Sequence, residues 1–195
     1  MSLPYEIFRK QEVEISRRRF IKLGTLATLA IMSPCPSFAA RGNRLSPERS
    51  LSFYNIHTQE SLSTVYWAKG RYVSEALADI DHILRDHRAE KTKPIDTRLL
   101  DLLYGIAMEL EAGEPFHIIS GYRSPKTNAL LHRHGRGTAK HSLHMHGKAI
   151  DIQLPDCRLP LLRRVAMRLR GGGVGYYPHS NFVHVDVGRV RYWYG

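Results

Sequence analysis

Cysteine is nearly absent from this sequence: Cys35 and Cys157 are the two among 195 residues. A multi-disulfide framework cannot be built from two cysteines. Long apolar runs are missing too. The best of them, residues 23–32, is too short to cross a bilayer comfortably as a permanent helix. There is no zinc-finger spacing, no aromatic-and-glycine RNA-binding signature and no single long basic helix, which removes the usual sequence grounds for a nucleic-acid partner. No internal repeat is evident. Acidic residues are in deficit, 18 Asp and Glu against 29 Lys and Arg, for a formal charge of +11. Residues 1–39 carry a net +3 of this, so +8 stays with the remainder, a charge suited to an anionic polymer or surface. With 43% hydrophobic content the chain has material for one good core.

The first 39 residues read as an address. Ser16-Arg17-Arg18-Arg19-Phe20-Ile21-Lys22 opens the short apolar stretch, Pro34 and Pro36 break it, and Ser37-Phe38-Ala39 supplies a small-x-small cleavage site. The paired arginines followed by Phe-Ile-Lys resemble a twin-arginine export signal, the address of proteins carried folded across the inner membrane. The twin-arginine machinery is then a partner and the periplasm the destination; the alternative is an uncleaved amphipathic membrane anchor. Cys35 lacks a lipobox before it, which argues against a lipoprotein. Cleavage near Ala39 leaves Cys157 as the lone cysteine, and its place between Asp156 and Arg158 reads as a turn rather than a nucleophile.

A polar linker over 40–50 precedes the folded region, 51–195. Residues 51–57 and 63–68 alternate as a hairpin would. Ser74 is expected to cap a helix over 74–88 with Ala76, Leu77, Ile80, Ile83 and Leu84 on one stripe. A second helix is expected from a cap at Asp96 or Thr97, burying Leu99, Leu103, Ile106 and Leu110 and stopping at Gly113. Residues 116–119 read as a buried strand running into Ser120-Gly121-Tyr122-Arg123-Ser124-Pro125, a turn that presents Arg123. Pro125 starts a third helix to about 134, and a loop follows over 135–142. After a strand ending near 154 comes a fourth helix, 159–170, with a basic outer face at Arg163, Arg164, Arg168 and Arg170.

Chemistry concentrates in two stretches. Ser142-Leu143-His144-Met145-His146-Gly147-Lys148-Ala149-Ile150-Asp151 offers an imidazole and a carboxylate, and Phe182-Val183-His184-Val185-Asp186-Val187-Gly188 offers a second imidazole. Two histidines and one carboxylate suit catalytic zinc, which takes three protein ligands and keeps a fourth position for water. The odd separation of His144 and Asp151 would send them to opposite faces of one straight strand. Gly147 supplies a bend that brings both to one metal, and Ala149 is small enough for a neighbouring strand to approach.

These motifs, Ser-x-His-x-x-Gly-x-Ala-x-Asp, the Ser-Gly-Tyr-Arg-Ser turn before it and Phe-Val-His-x-Asp-x-Gly after it, resemble the zinc D-Ala-D-Ala carboxypeptidase and murein endopeptidase superfamily. Gly172-Gly173-Val174-Gly175-Tyr176-Tyr177-Pro178 and the twin arginines are similar to its periplasmic murein endopeptidase branch. The likeness runs from about Leu51 to Tyr194. It implies a small α+β domain with a central antiparallel sheet flanked by helices, Zn2+ held by His144, Asp151 and His184, and Arg123 binding substrate and steadying the carbonyl oxygen. It also implies a peptidoglycan substrate, cut at peptide cross-links and in particular at links between two diaminopimelate residues. Trimming of terminal D-Ala and a non-catalytic zinc or wall-binding module are the alternatives.

The sequence departs from that family where the water-activating base is usual: Asn181 and Phe182 stand there. Asp186, on the strand face of His184, is a candidate for base or for a partner orienting an imidazole, and His179 and His146 are further candidates. Other histidines, His57, His82, His87, His132 and His134, read as surface or helix-face residues, His117 as strand core or edge, and His141 stays open. The tail Tyr192-Trp193-Tyr194 reads as packing.

Overall fold

The computed structural model describes residues 48–134 and 138–195. The proposed signal, 1–39, and most of the linker lie outside them. Strands β1 (Arg49–Asn55) and β2 (Ser61–Ala68) form the expected hairpin, and a short β3 (Arg71–Tyr72) follows. Helices α1 (Ser74–Ile83) and α2 (Thr97–Leu110) precede β4 (Phe116–Ser120) and α3 (Pro125–Arg133). Then come a 3-10 turn (Leu143–His146), β5 (Ala149–Gln153), α4 (Leu159–Leu169), β6 (Gly173–Tyr177), β7 (Phe182–Asp186) and β8 (Arg191–Tyr194).

One eight-stranded sheet results, in the order β3-β2-β1-β4-β5-β7-β6-β8. It is antiparallel apart from the β1–β4 and β6–β8 pairings, which are parallel. Along β5 and β7 the period of two sorts residues cleanly. Ile150, Ile152, Val183 and Val185 join the core, where α2 contributes Leu99, Leu103 and Ile106 and α4 contributes Leu162, Val165 and Ala166. The other parity, Ala149, Asp151, His184 and Asp186, falls on the opposite face.

Two expectations about α1 need correction. Its N-cap is Val73, without a side-chain cap bond, and Ser74 is already helical; the helix ends at Ile83 rather than near residue 88. The cause of the early end is Asp86, whose carboxylate accepts from the backbone N–H of Arg88 at 3.1 Å and of Ser124 at 2.9 Å. A backbone bridge from Asp86 to Lys91 closes the turn. For α2, by contrast, Asp96 is the cap and accepts from Arg98 N.

Candidate active site

A register shift between Ile118 and Ser120 on β4 turns Ser120 to stand opposite Asp151. Such a bulge re-aims side chains beside functional sites. From there a row crosses the sheet through paired positions: Ser120 on β4, Asp151 on β5, His184 on β7, Gly175 on β6 and Trp193 on β8. His144 reaches the row from the 3-10 turn. Ser142 caps that turn, and Gly147 ends it with φ +64. A Cβ at Gly147 would lie 2.4 Å from the Pro94 carbonyl oxygen, so the bend expected there depends on glycine for both its torsion and its space.

His144, Asp151 and His184 are buried and converge. Asp151 Oδ1 lies 2.8 Å from His184 Nδ1 and 3.3 Å from His144 Nε2, and the two nitrogens are 3.2 Å apart. Donors about 2.0–2.1 Å from a tetrahedral zinc stand roughly 3.3 Å from one another, so the triangle has the size of a zinc ligand face. Protonation agrees. His144 Nδ1 is 2.8 Å from the Gly121 carbonyl oxygen, an acceptor only, so Nδ1 carries the hydrogen and Nε2 a lone pair. His184 Nε2 is 3.1 Å from Asp186 Oδ2 and donates to it, which leaves the Nδ1 lone pair facing Asp151. The three facing atoms form a set that could hold a cation. A proton on His184 Nδ1 satisfies one edge, and a metal ion satisfies all three.

The charges follow from this packing. Burial alone would raise the Asp151 carboxyl, but His144 and His184 hold it well below the usual carboxylate range. Burial pushes the His144 imidazole down. For His184 burial acts the same way, yet the carboxylates of Asp151 and Asp186 outweigh it and the ring is shifted up. Burial also depresses Arg123, against the pull of Asp151. Arg123 Nη2 donates to Ser120 Oγ at 3.1 Å and approaches Asp151 Oδ2 at 3.5 Å, while its buried Nε has no partner among the described residues.

The other candidates separate sharply. Asp186 is fully buried and accepts five hydrogen bonds: from Gly173 N, Gly188 N and Arg191 Nη1 at Oδ1, and from Arg191 Nη2 and His184 Nε2 at Oδ2. Burial is opposed by these donors and its pKa is lowered. It lies on the side of His184 away from the triangle. His179 is exposed in the turn between β6 and β7 and does not line the cavity over the triangle; His146 is exposed as well. That cavity, of about 410 Å³, is lined by His144, Asp151 and His184 together with Arg123, His141, Tyr177, Phe182, Arg191 and Trp193. Trp193 packs near His184, as expected for the tail, and also lines the cavity; the alternation along β8 puts Arg191 and Trp193 on the site face, while Tyr192 turns to α4 and donates to the Met167 carbonyl. Away from the site, His57 stacks on His87 at 4.1 Å.

The family model described as peptidoglycan L,D-endopeptidase MepK matches residues 44–193. A protein of Escherichia coli strain K12, named peptidoglycan L,D-endopeptidase MepK, is 41% identical over 180 residues, covering 92% of this chain and 98% of its own. A Haemophilus influenzae protein named probable peptidoglycan L,D-endopeptidase MepK is 39% identical over 184 residues, covering 94% and 98%. On motif order, fold and likeness along its length, the chain belongs to the peptidoglycan L,D-endopeptidase family, within the zinc D-Ala-D-Ala carboxypeptidase superfamily.

Proposed function

We propose that this protein is a zinc-dependent peptidoglycan endopeptidase, exported through the twin-arginine route to the periplasm, where it hydrolyses cross-links between stem peptides. The observation that carries the reading is the triangle of His144, Asp151 and His184 at the cavity, with Arg123 beside it, in a chain whose relatives are named for an L,D bond in peptidoglycan. A direct link between two diaminopimelate residues presents such a bond and is the assigned substrate. No helix among the described residues is long and apolar enough to cross a membrane.

When bound, zinc supplies a Lewis acid for the scissile carbonyl and a nucleophile from water near neutral pH. The protein's part is to hold and orient. Gly121 O fixes the His144 tautomer, and Asp186 fixes that of His184. Arg123, whose side chain lines the cavity beside Asp151, is placed to donate to the carbonyl oxygen as negative charge develops. Asp186 is assigned as a positioning residue, because its lone pairs already serve five donors. His179 and His146, exposed and outside the cavity lining, are not assigned as base.

The test is incubation of the protein with purified cross-linked peptidoglycan, with and without a chelator, and again with His144→Ala. Dimeric muropeptides should fall to monomers, and chelation or the substitution should abolish the change. Persistence of dimers with zinc still bound and the protein sedimenting with the wall would replace the reading with a binding module. Release of free D-Ala alone would replace it with a carboxypeptidase.

A further inference from the structure

Gly175 is the gap in the row that crosses the sheet. A Cβ there would lie 2.5 Å from the Trp193 ring, so glycine lets the indole lie over β6 with its centroid 5.2 Å from that of His184. The indole Nε1 donates to the Tyr177 hydroxyl at 2.9 Å, which satisfies the ring's one polar atom and fixes its orientation. Tyr177 in turn stacks on Phe182, centroids 4.5 Å apart and planes 17° from parallel. The Arg191 guanidinium sits 5.0 Å from the Trp193 centroid while its Nη atoms serve Asp186. Three aromatic rings from three adjacent strands therefore form one wall of the cavity.

We propose that this wall is the subsite for an unbranched aliphatic chain adjoining the scissile bond, with Trp193 as its floor; the proposal rests on the endopeptidase reading. An aromatic face whose polar atom is already bonded gains from apolar contact. The nearness of Trp193 to His184 confines that contact to a residue next to the bond being cut. A glycan strand, a stem peptide's length from the cross-link, does not reach it. The methylene chain of a linking diamino acid, by contrast, adjoins that bond directly.

The full chain, loaded with zinc, is assayed on synthetic cross-linked peptides whose linking diamino acid has progressively fewer methylenes. The wild-type protein should lose roughly tenfold or more in kcat/KM per methylene removed, the usual worth of one methylene in an apolar pocket. Trp193→Ser should flatten that dependence chiefly through KM, with bound zinc unchanged, and Trp193→Phe should restore part of it. Trp193→Ser protein that keeps the dependence overturns the proposal. So does protein that loses zinc or slows equally on every peptide, because Trp193 would then only pack against His184. Independently of turnover, Trp193 emission is followed in a Trp67→Phe background as the same peptides are added. A response that grows with chain length supports the subsite; unchanged emission overturns it. If emission responds while wild-type protein cleaves none of the peptides, the endopeptidase reading fails and the subsite stands.

Discussion

Asp151 and His184 face each other across the β5–β7 ladder, with Asp151 Oδ1 2.8 Å from His184 Nδ1. Ala149 pairs with Asp186 in the same ladder, so one register delivers the facing Asp151–His184 pair and also the carboxylate that holds His184 from behind.

Asp186→Asn tests that arrangement. An amide cannot accept from Arg191, two glycine N–H groups and His184 together, because half of its polar end is a donor. Zinc affinity should weaken by roughly 10- to 100-fold, the usual effect of losing an outer partner of a ligand, as read by competition with a chromogenic chelator. Unchanged affinity would remove Asp186 from the account of the metal centre.

Arg123→Lys keeps the charge but loses the planar fork that serves Ser120 and approaches Asp151. We expect kcat/KM on cross-linked peptide to fall by about 10²- to 10³-fold, the range for removing one oxyanion donor. Bound zinc, measured by mass spectrometry, should stay at the wild-type level. Full activity in this variant would show that a point charge suffices.

Acid sensitivity should have a component from Asp86, well away from the metal ligands in sequence. Burial pushes this carboxyl up, but the Thr127 and Ser124 hydroxyls and the N–H groups of Ser124 and Arg88 together bring it below its ordinary value. A carboxyl depressed on folding stabilises the protein above its unfolded pKa of about 3.9, and that contribution fades as pH falls through the folded value. Asp86→Asn should therefore be less stable than wild type at pH 7, by about 1–3 kcal/mol for imperfectly satisfied buried donors, and melt earlier. The gap should close on acidification below about pH 4. A gap of equal size at pH 7 and pH 3 would refute the titration argument.

Gly147→Ala places a side chain at φ +64 and against the Pro94 carbonyl. A cost of about 1–3 kcal/mol is expected for such strain, visible as a drop of several degrees in Tm, roughly 2–4 °C per kcal/mol for a domain of this size. Because the same turn carries His144, zinc affinity should fall with stability.

What was legible in the sequence is what local spacing encodes. His144, Gly147 and Asp151 lie within one short segment, and the alternation around His184 fixes its face, so their convergence could be reasoned from parity and one glycine. The role of Trp193 could not. It depends on β8 returning parallel to β6, a long-range pairing that four residues do not announce. The end of α1 was misjudged for a similar reason: the residues after Ile83 are compatible with helix, but Asp86 binds Ser124, 38 residues away. Nor do the saturation of Asp186 by five donors and the exposure of His179 follow from local spacing, since both depend on the sheet's assembly.

The row from Ser120 to Trp193 also acts as a ruler. Neighbouring strands stand about 4.8 Å apart, so the floor beneath a bound peptide is graduated in steps set by backbone hydrogen bonds rather than by side-chain length. Substitutions in the connecting loops can reshape the rims of the cleft without moving those marks. A slip of β7 by one residue would erase them all at once, since it would exchange His184 for a core valine.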